Sequence, residues 1–293
     1  LAEAATIDAV QNGSGFVFDQ TDYIGAVDPE ASLGWWEGWT LEGTVAADTA
    51  EFQAADFVTF DEATNTATIS GTIDSDYTMV AGVNWVLDGP VRVGRGNVTI
   101  SSETEMQDVM DQGVTLTIRP GVHVRATSDG TLYVTRGSKL NAVGSPVAPI
   151  IFSSAADDDF DGLGEWGGVI IAGFAPQYGA GGTGACWLEG ETWCNVQGEG
   201  GAEIDSIFGG NVPEDDSGAI RYLVIAEGGL VAGPNNEVNG LTLQGVGYGT
   251  DVSYVQVHNN LDDGVEWFGG TVSAKYLVLT GNDDDDIDFD EGF

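Results

Sequence analysis

The chain has 293 residues and a formal net charge of −39, which arises from 47 acidic and only 8 basic residues. Such a surface repels phosphate backbones and anionic lipid headgroups, so nucleic acid and membrane-surface partners are excluded. A hydrophobic content of 42% together with 44 glycines predicts an ordered, turn-rich β protein. No apolar run reaches the roughly 18 residues that a spanning helix needs, so no membrane span is predicted.

The first part of the chain, residues 1–66, is predicted to be a folded extension or cap. It is rich in aromatic residues, including Trp35, Trp36 and Trp39. Further along, Ser102 and Glu105 have the spacing of a helix capping box, and apolar residues follow on one helical face. One short helix is therefore predicted at about residues 103–112.

From Ala67 onward, apolar and polar residues alternate with the period of a β-strand. Near the end, two segments match at an offset of 22 residues, one beginning at Tyr254 and the other at Tyr276. Repeats of this length with short apolar runs are typical of a β-solenoid, in which every repeat is one coil. The sequence thus predicts an all-β solenoid domain over residues 67–293, with coils of about 22–24 residues.

Matching positions of successive coils stack about 4.8 Å apart. The offset places Asp262 over Asp284, Asp263 over Asp285, and Glu266 over Asp288, with the last pair facing outward. Directly opposed like charges destabilise a sheet, and Ca²⁺, which takes six to eight oxygen ligands, would relieve the repulsion. These six carboxylates are therefore the first predicted calcium site. Two alternatives stay open: solvated turns in a saline medium and a catalytic carboxylate set.

A second acidic segment lies earlier in the chain. Asp157, Asp159, Asp161 and Gly162 match the opening D-x-D-x-D-G of a calcium loop, and Glu165 stands at the ninth position. The twelfth position holds glycine instead of the bidentate glutamate, so an EF-hand is not supported. A shorter calcium loop completed by Glu165 is the prediction, and an acidic surface turn is the alternative.

The two cysteines, Cys186 and Cys194, lie in a glycine-rich stretch with no histidine nearby. Their spacing fits neither a zinc site nor a redox motif, so a local disulfide is predicted, which implies an oxidising compartment. The disulfide loop is predicted to be an insertion near residues 174–217. Gly168 and Gly240 are 72 residues apart, which predicts three coils between them.

A column of tyrosines is also predicted. Tyr222, Tyr254 and Tyr276 occupy equivalent coil positions, and Arg221 and Lys275 precede two of them. The tyrosines with Lys275 form a candidate glycan-binding face, although an ordinary cross-coil ladder gives the same pattern. The sequence contains no H-E-x-x-H, nucleophile elbow or phosphate loop, so no catalytic residue is assigned.

Several motifs carry a family resemblance. They are TLYVTRGSK (131–139), PIIF (149–152), GEWGGVII (164–171), NEVNGLTL (236–243), DGVEWFGGTV (263–272) and DDDDIDFD (283–290). Over about residues 67–293 the chain resembles a group of secreted right-handed parallel β-helix proteins of marine and other Gram-negative bacteria. The resemblance implies the fold and an extracellular or outer-surface location, but no catalytic residues. Residues 22–27 and 35–40 are similar to a segment at the closing end of such proteins, which implies a piece of a longer chain or a subunit that caps its neighbour.

Together these features predict a secreted, calcium-binding, non-catalytic structural or adhesion protein of the cell surface, which self-associates end to end into a homo-oligomer or filament. The first alternative is a carbohydrate-active enzyme that uses Asp262, Asp263, Asp284 and Asp285 with Lys275 or Arg221. The second is a passive module that binds an extracellular glycan. The first residues lack the basic segment and apolar core of an export signal, so any such signal is expected to have been removed.

Overall fold

The structure is a computed structural model that describes residues 23, 26–28, 30–31, 34–41, 51–157, 159–177, 193–198, 206–233 and 236–293. This part of the chain contains one helix, α1 (Glu103–Asp111), and is otherwise built of strands and turns. The strands are β1 (Val58–Asp61), β2 (Thr66–Ile73), β3 (Tyr77–Met79), β4 (Asn84–Val93), β5 (Thr115–Ile118), β6 (His123–Ala126), β7 (Thr131–Val134), β8 (Lys139–Val143), β9 (Ile150–Ser154), β10 (Val169–Ala172), β11 (Trp193–Gln197), β12 (Ile207–Gly210), β13 (Gly218–Ala226), β14 (Val231–Gly233), β15 (Asn236–Glu237), β16 (Leu241–Gln244), β17 (Asp251–His258), β18 (Val265–Phe268), β19 (Ala274–Thr280) and β20 (Ile287–Asp290).

The strands form three faces around a common interior, and each coil passes through face 1, face 2 and face 3 in turn. Face 1 contains β7, β10, β16, β18 and β20; face 2 contains β3, β5 and β8; face 3 contains β6 and β9. The longer strands bend at a corner and belong to two faces: β2 and β4 to faces 3 and 1, and β13, β17 and β19 to faces 2 and 3. All pairings between coils are parallel, and the fold is the predicted right-handed parallel β-helix.

The predicted register of the last coils is confirmed. Val265 pairs with Ile287, and Trp267 pairs with Phe289. One prediction about the coils is wrong: Val169 pairs directly with Leu241, so the 72 residues from Gly168 to Gly240 form a single coil instead of three. The reason is that excursions outside the stack fill this coil, including the antiparallel hairpins β11–β12 and β14–β15.

These hairpins cover the outer side of face 1. Tyr133, Ile170 and Phe268 point away from the coil interior, yet they are buried in a second apolar cluster with Phe208 and Val238 from the covering segments. The interior of the coils forms the main cluster, with alternate strand residues such as Ile69, Val124 and Leu223 fully buried. From β7 to β18, face 1 is therefore buried on both sides, so a polar residue on its outer surface is removed from water as well.

A buried arginine attaches the β11–β12 hairpin to the coils. The guanidinium of Arg136 donates to the carbonyl oxygens of Cys194 at 2.6 Å, Gly209 at 3.0 Å and Val98 at 2.6 Å, and it lies 5.0 Å from the ring centroid of Phe174. Burial lowers the pKa of Arg136 to about 10. Carbonyl groups and an aromatic face thus replace the water that this cation loses.

The predicted helix is present, and Ser102 is its N-cap: its hydroxyl accepts a hydrogen bond from the Glu105 amide at 3.2 Å. Met106 is buried against Ile100 and Phe174, which agrees with a packing role. In the described part of the chain, no helix is long and apolar enough to cross a bilayer. Cys194 is buried on β11, whereas Cys186 lies outside the described residues, and their pairing stays a prediction.

Candidate functional site

Both predicted acidic segments lie along one edge of the β-helix, the corner where face 3 turns into face 1. This corner is made by the turns that follow β9, β13, β17 and β19. Glu227, Asn259 and Gly281 occupy the same position in the last three of these turns and adopt left-handed backbone conformations, with φ of 66°, 54° and 74°. The sequence predicts two separate sites, whereas the coil geometry places both segments on one ridge.

The first group, which we call the acidic corner, consists of Asp262, Asp263, Glu266, Asp284 and Asp288. Strand pairing stacks Glu266 on Asp288, as predicted. Carboxylate oxygens of Asp262, Asp263 and Asp284 lie within 4.8 Å of one another, and so do those of Asp263, Glu266 and Asp288. Asp263 belongs to both triads and is therefore the centre of the group.

Asp285, the sixth residue predicted for this site, has a different contact from the one expected. Its backbone amide donates to Oδ1 of Asp263 at 2.8 Å, and its side chain is exposed. Asp285 thus lies over Asp263 as predicted. Its backbone amide orients the carboxylate of Asp263, and its own carboxylate belongs to neither triad.

The acidic corner is electrostatically costly. Asp263 is 7% exposed and Glu266 is 6% exposed, because the hairpins cover the outer side of face 1. The pKa of Asp263 is raised to about 6, chiefly by burial; the hydrogen bond from Asp285 opposes this shift, and the charges of Asp262, Asp288 and Asp284 add to it. Burial also raises the pKa of Asp262, followed by the charge of Glu237. The charged groups that act most strongly on both residues are negative.

A buried group of carboxylates has two ways to relieve its repulsion, which are to take up protons or to bind a cation. The pKa of Asp263 still leaves it largely ionised at neutral pH. A cation would then compensate the charges directly. The donors are all oxygen atoms, which suits a hard cation such as Ca²⁺ better than zinc or copper.

The second group lies one coil earlier on the same ridge. Carboxylate oxygens of Asp157, Asp159 and Glu227 lie within 4.8 Å of one another. Glu227 is fully buried and accepts hydrogen bonds from the backbone amides of Ser154 at 3.3 Å and Gly162 at 3.4 Å. Its pKa is raised, chiefly by burial. The third carboxylate therefore comes from the following coil and not only from the predicted loop.

The remaining predicted members of this second group lie beside it. The pKa of Asp161 is raised by its contact with Asp159 and, more weakly, by Glu165. Glu165 also raises the pKa of Glu227, so its charge is felt within the group. Gly162 leaves room for Glu165, because a Cβ atom at position 162 would collide with that carboxylate.

Three residues at the ridge were missed by sequence reasoning: Glu227, Glu237 and Asn239. A signal for one of them was present. Extending the coil register back from Asp263 places Asn239 at the equivalent position, two residues before the paired Leu241 and Val265. Glu227 and Glu237 carried no such signal, because the long coil that contains them had been divided into three.

The predicted tyrosine column is present at the corner between faces 2 and 3. The ring centroids of Tyr222 and Tyr254 are 4.5 Å apart, and those of Tyr254 and Tyr276 are 4.3 Å apart. The amino-terminal segment covers this column: Trp39 lies edge-on to Tyr222 and Tyr254 at 5.8 and 5.7 Å, and Trp35 lies 5.4 Å from Tyr276. Glycan binding at the column stays a prediction, and a glycan would compete there with the protein's own tryptophans.

The basic residues assigned to the alternative enzyme lie away from the acidic corner. Arg221 is paired with Asp251. Lys275 occupies the position equivalent to Arg221 two coils later, and each of these residues directly precedes a tyrosine of the column. Residues 277–280 cross face 3 between that corner and the acidic turn, roughly 13 Å at about 3.3 Å per residue. The basic residues and the carboxylates therefore lie at opposite ends of face 3.

Fold and site together define a parallel β-helix protein with carboxylates clustered along one edge. A family model described as "Pectate-lyase like beta helix domain" matches residues 96–293, which is more than half of the chain. The chain therefore belongs to the pectate-lyase-like β-helix domain family. Searches of curated proteins and of solved structures gave no match to it.

Proposed function

We propose that this is a secreted, calcium-binding β-helix protein with a non-catalytic structural or adhesive role outside the cell or on its surface. The observation that carries the proposal is the burial of Asp263 and Glu266 against Asp288 in one triad. Buried like charges oppose folding unless a partner compensates them. A calcium ion at the acidic corner would convert that repulsion into a link between coils.

The second group, Asp157, Asp159 and Glu227, supports the same proposal as a second calcium site, with Asp161 and Glu165 beside it. Its ligands would come from two successive coils, as at the acidic corner. Self-association, which the sequence predicts, belongs to the proposal as well and is tested separately from calcium binding.

The test is the melting temperature and the calorimetric calcium affinity of the purified chain, in calcium and in chelator. At a free calcium concentration 100 times the dissociation constant, one site stabilises the folded state by about 2.7 kcal/mol. Mass photometry under the same two conditions measures assembly. Equal stability and no heat of binding at millimolar calcium would reject the calcium role and favour the solvated-surface alternative.

The family supports a second candidate, a carbohydrate-active protein. The separation of Lys275 and Arg221 from the acidic corner favours binding over cleavage. Incubation with acidic polysaccharides distinguishes the two, because a lyase generates unsaturated ends that absorb ultraviolet light. A rise in absorbance that depends on Asp263 would replace the non-catalytic proposal with an enzymatic one.

A further inference from the structure

At the acidic corner, the side-chain oxygen of Asn239 is buried without a hydrogen-bond donor from the described residues. The residue is fully buried in the turn before β16, and its Nδ2 donates to Oε2 of Glu266. Buried carbonyl groups without a donor are uncommon, and each requires an explanation. Because both atoms belong to one amide group, the oxygen lies beside the carboxylate that the nitrogen contacts.

Glu237 lies on the covering hairpin beside this site. It ends β15, two residues before Asn239. Between these residues, Val238 is buried in the apolar cluster on face 1, and its amide donates to the Leu230 carbonyl at 3.0 Å. The β14–β15 hairpin and the acidic corner are therefore joined through three consecutive residues.

We infer that Asn239 completes the calcium site of the acidic corner, so that one ion ties three successive coils together and, because Asn239 directly follows the covering hairpin, holds that hairpin as well. This inference rests on the proposed function. The ligands would come from the turn before β16, from the turn before β18 with Glu266, and from β20. Release of the ion would then loosen residues 230–233 and 236–239 together with the last two coils and leave the first coils unchanged.

The donor set fits calcium. Calcium sites commonly combine several carboxylates with one or more amide carbonyl oxygens. A neutral amide oxygen binds the ion without adding to the repulsion among Asp263, Glu266 and Asp288. It also satisfies an atom that otherwise has no partner, which is why an amide, and not another carboxylate, suits this position.

The experiment titrates calcium chloride into the complete 293-residue chain and compares Asn239→Leu with Asn239→Asp. Leucine removes both the oxygen and the amide donor, and we expect the dissociation constant to rise about 10-fold or more. Aspartate keeps an oxygen ligand but loses the donor to Glu266, so we expect it to bind at least as tightly as the parent. If Asn239 only positioned Glu266, both variants would weaken binding alike, and that result would overturn the inference.

Gln244→Met is the matched control, because Gln244 is a fully buried amide at the other end of β16. We expect this variant to bind calcium as the parent does. Glu237→Gln serves as a second variant that does not disturb the core, with an expected loss of about 3- to 10-fold in affinity for one screened charge near a divalent ion. Its control is Glu214→Gln at an exposed turn. Equal affinity of Glu237→Gln and Glu214→Gln would count against the link between the hairpin and the calcium site.

Hydrogen exchange on the unaltered chain decides the matter even if Asn239→Leu fails to fold. Calcium is expected to protect the amides of residues 230–233 and 236–239 as well as those of 262–268. Protection of 262–268 alone would overturn the inference while leaving the calcium site of the proposed function intact. Absence of calcium binding by the parent would overturn both.

Discussion

Two corners of the β-helix stack like residues in the same register. Between faces 2 and 3, Tyr254 stacks on Tyr276 at 4.3 Å, and between faces 3 and 1, Glu266 pairs with Asp288 one coil above. Stacked rings attract one another without help. Stacked carboxylates repel one another and need a proton or a cation.

The two corners are also covered differently. Trp39, which is 2% exposed, closes the tyrosine column with more aromatic surface. The hairpin that covers the acidic corner brings Glu237 and Asn239, which are polar. A column of stacked apolar residues in a solenoid is thus stable by itself. A column of stacked charged residues needs a further group that compensates the charge.

The largest expected effect is at the tyrosine column. Trp39→Ala should lower the free energy of unfolding by about 3–5 kcal/mol, because a buried tryptophan is removed from the contact with Tyr222 and Tyr254. The loss should be equal in calcium and in chelator, as measured by denaturant titration. Trp36→Ala is the control, since Trp36 is half-buried and its ring contact is with Trp35. A loss below about 1 kcal/mol for Trp39→Ala would refute the closure of the column.

At the acidic corner the sign of the effect should depend on calcium. In chelator, Asp288→Asn should stabilise the chain by about 1 kcal/mol, because it removes one charge from the triad with Asp263 and Glu266. In calcium, where the parent gains about 2.7 kcal/mol at 100 times the dissociation constant, the variant should retain less than half of that gain.

Asp283→Asn is the control for this second prediction. Asp283 is exposed in the turn before β20 and belongs to neither triad, so its variant should respond to calcium as the parent does. Denaturant titration of the three proteins in both buffers gives the comparison. If Asp288→Asn destabilised the chain equally with and without calcium, the acidic corner would be no different from the tyrosine column.

The two corners also differ in how far the sequence predicted them. The 22-residue offset correctly paired Glu266 with Asp288 and stacked Tyr254 on Tyr276, because a parallel coil keeps its period wherever no excursion intervenes. The period failed between Gly168 and Gly240, where the inserted segments form no part of the stack. Glu227 and Glu237 lie in that coil and were missed for this reason.

Burial was the second limit of the sequence. The alternation of residues along β18 correctly predicts that Glu266 points away from the coil interior. It does not predict that a hairpin covers this outer surface and buries Glu266. The tryptophans were recognised as part of a folded extension, but not as partners of Tyr222 and Tyr276, because more than 180 residues separate them in the chain. Segments outside the stacked coils follow no repeat, so their contacts could not be predicted from the period of the sequence.

The third effect concerns Asp215, a buried carboxylate that contrasts with Asp263. It accepts hydrogen bonds from the Phe174 amide at 3.0 Å and the Ser217 hydroxyl at 2.9 Å, yet burial raises its pKa to about 6. Since the pKa is higher in the folded than in the unfolded state, the folded state binds more protons between pH 4 and 6. Asp215 should therefore contribute a fall of about 2 kcal/mol in stability in chelator as the pH rises through this range, in addition to the fall that Asp263 contributes.

Asp215→Asn should reduce the slope of that part of the pH profile, whereas Glu214→Gln, at an exposed position in the adjoining turn, should leave it unchanged. The profiles are measured by denaturant titration at a series of pH values in chelator. An unaltered slope in Asp215→Asn would assign the pH dependence to the carboxylates of the ridge. In either case, the contribution of the acidic corner is obtained only after that of Asp215 has been subtracted.

The smallest effect should come from Tyr254→Phe, which keeps the stacked ring and removes the hydroxyl that contacts Tyr222. We expect a loss of about 0.5–1 kcal/mol with no calcium dependence, because one neutral hydrogen bond is removed. Tyr248→Phe, outside the column, is the control. Affinity electrophoresis with acidic and neutral glycans on the same proteins tests the glycan prediction. Retention that Tyr254→Ala abolishes without unfolding would show that a ligand can displace Trp39, and the column would then be a binding face as well as a structural one.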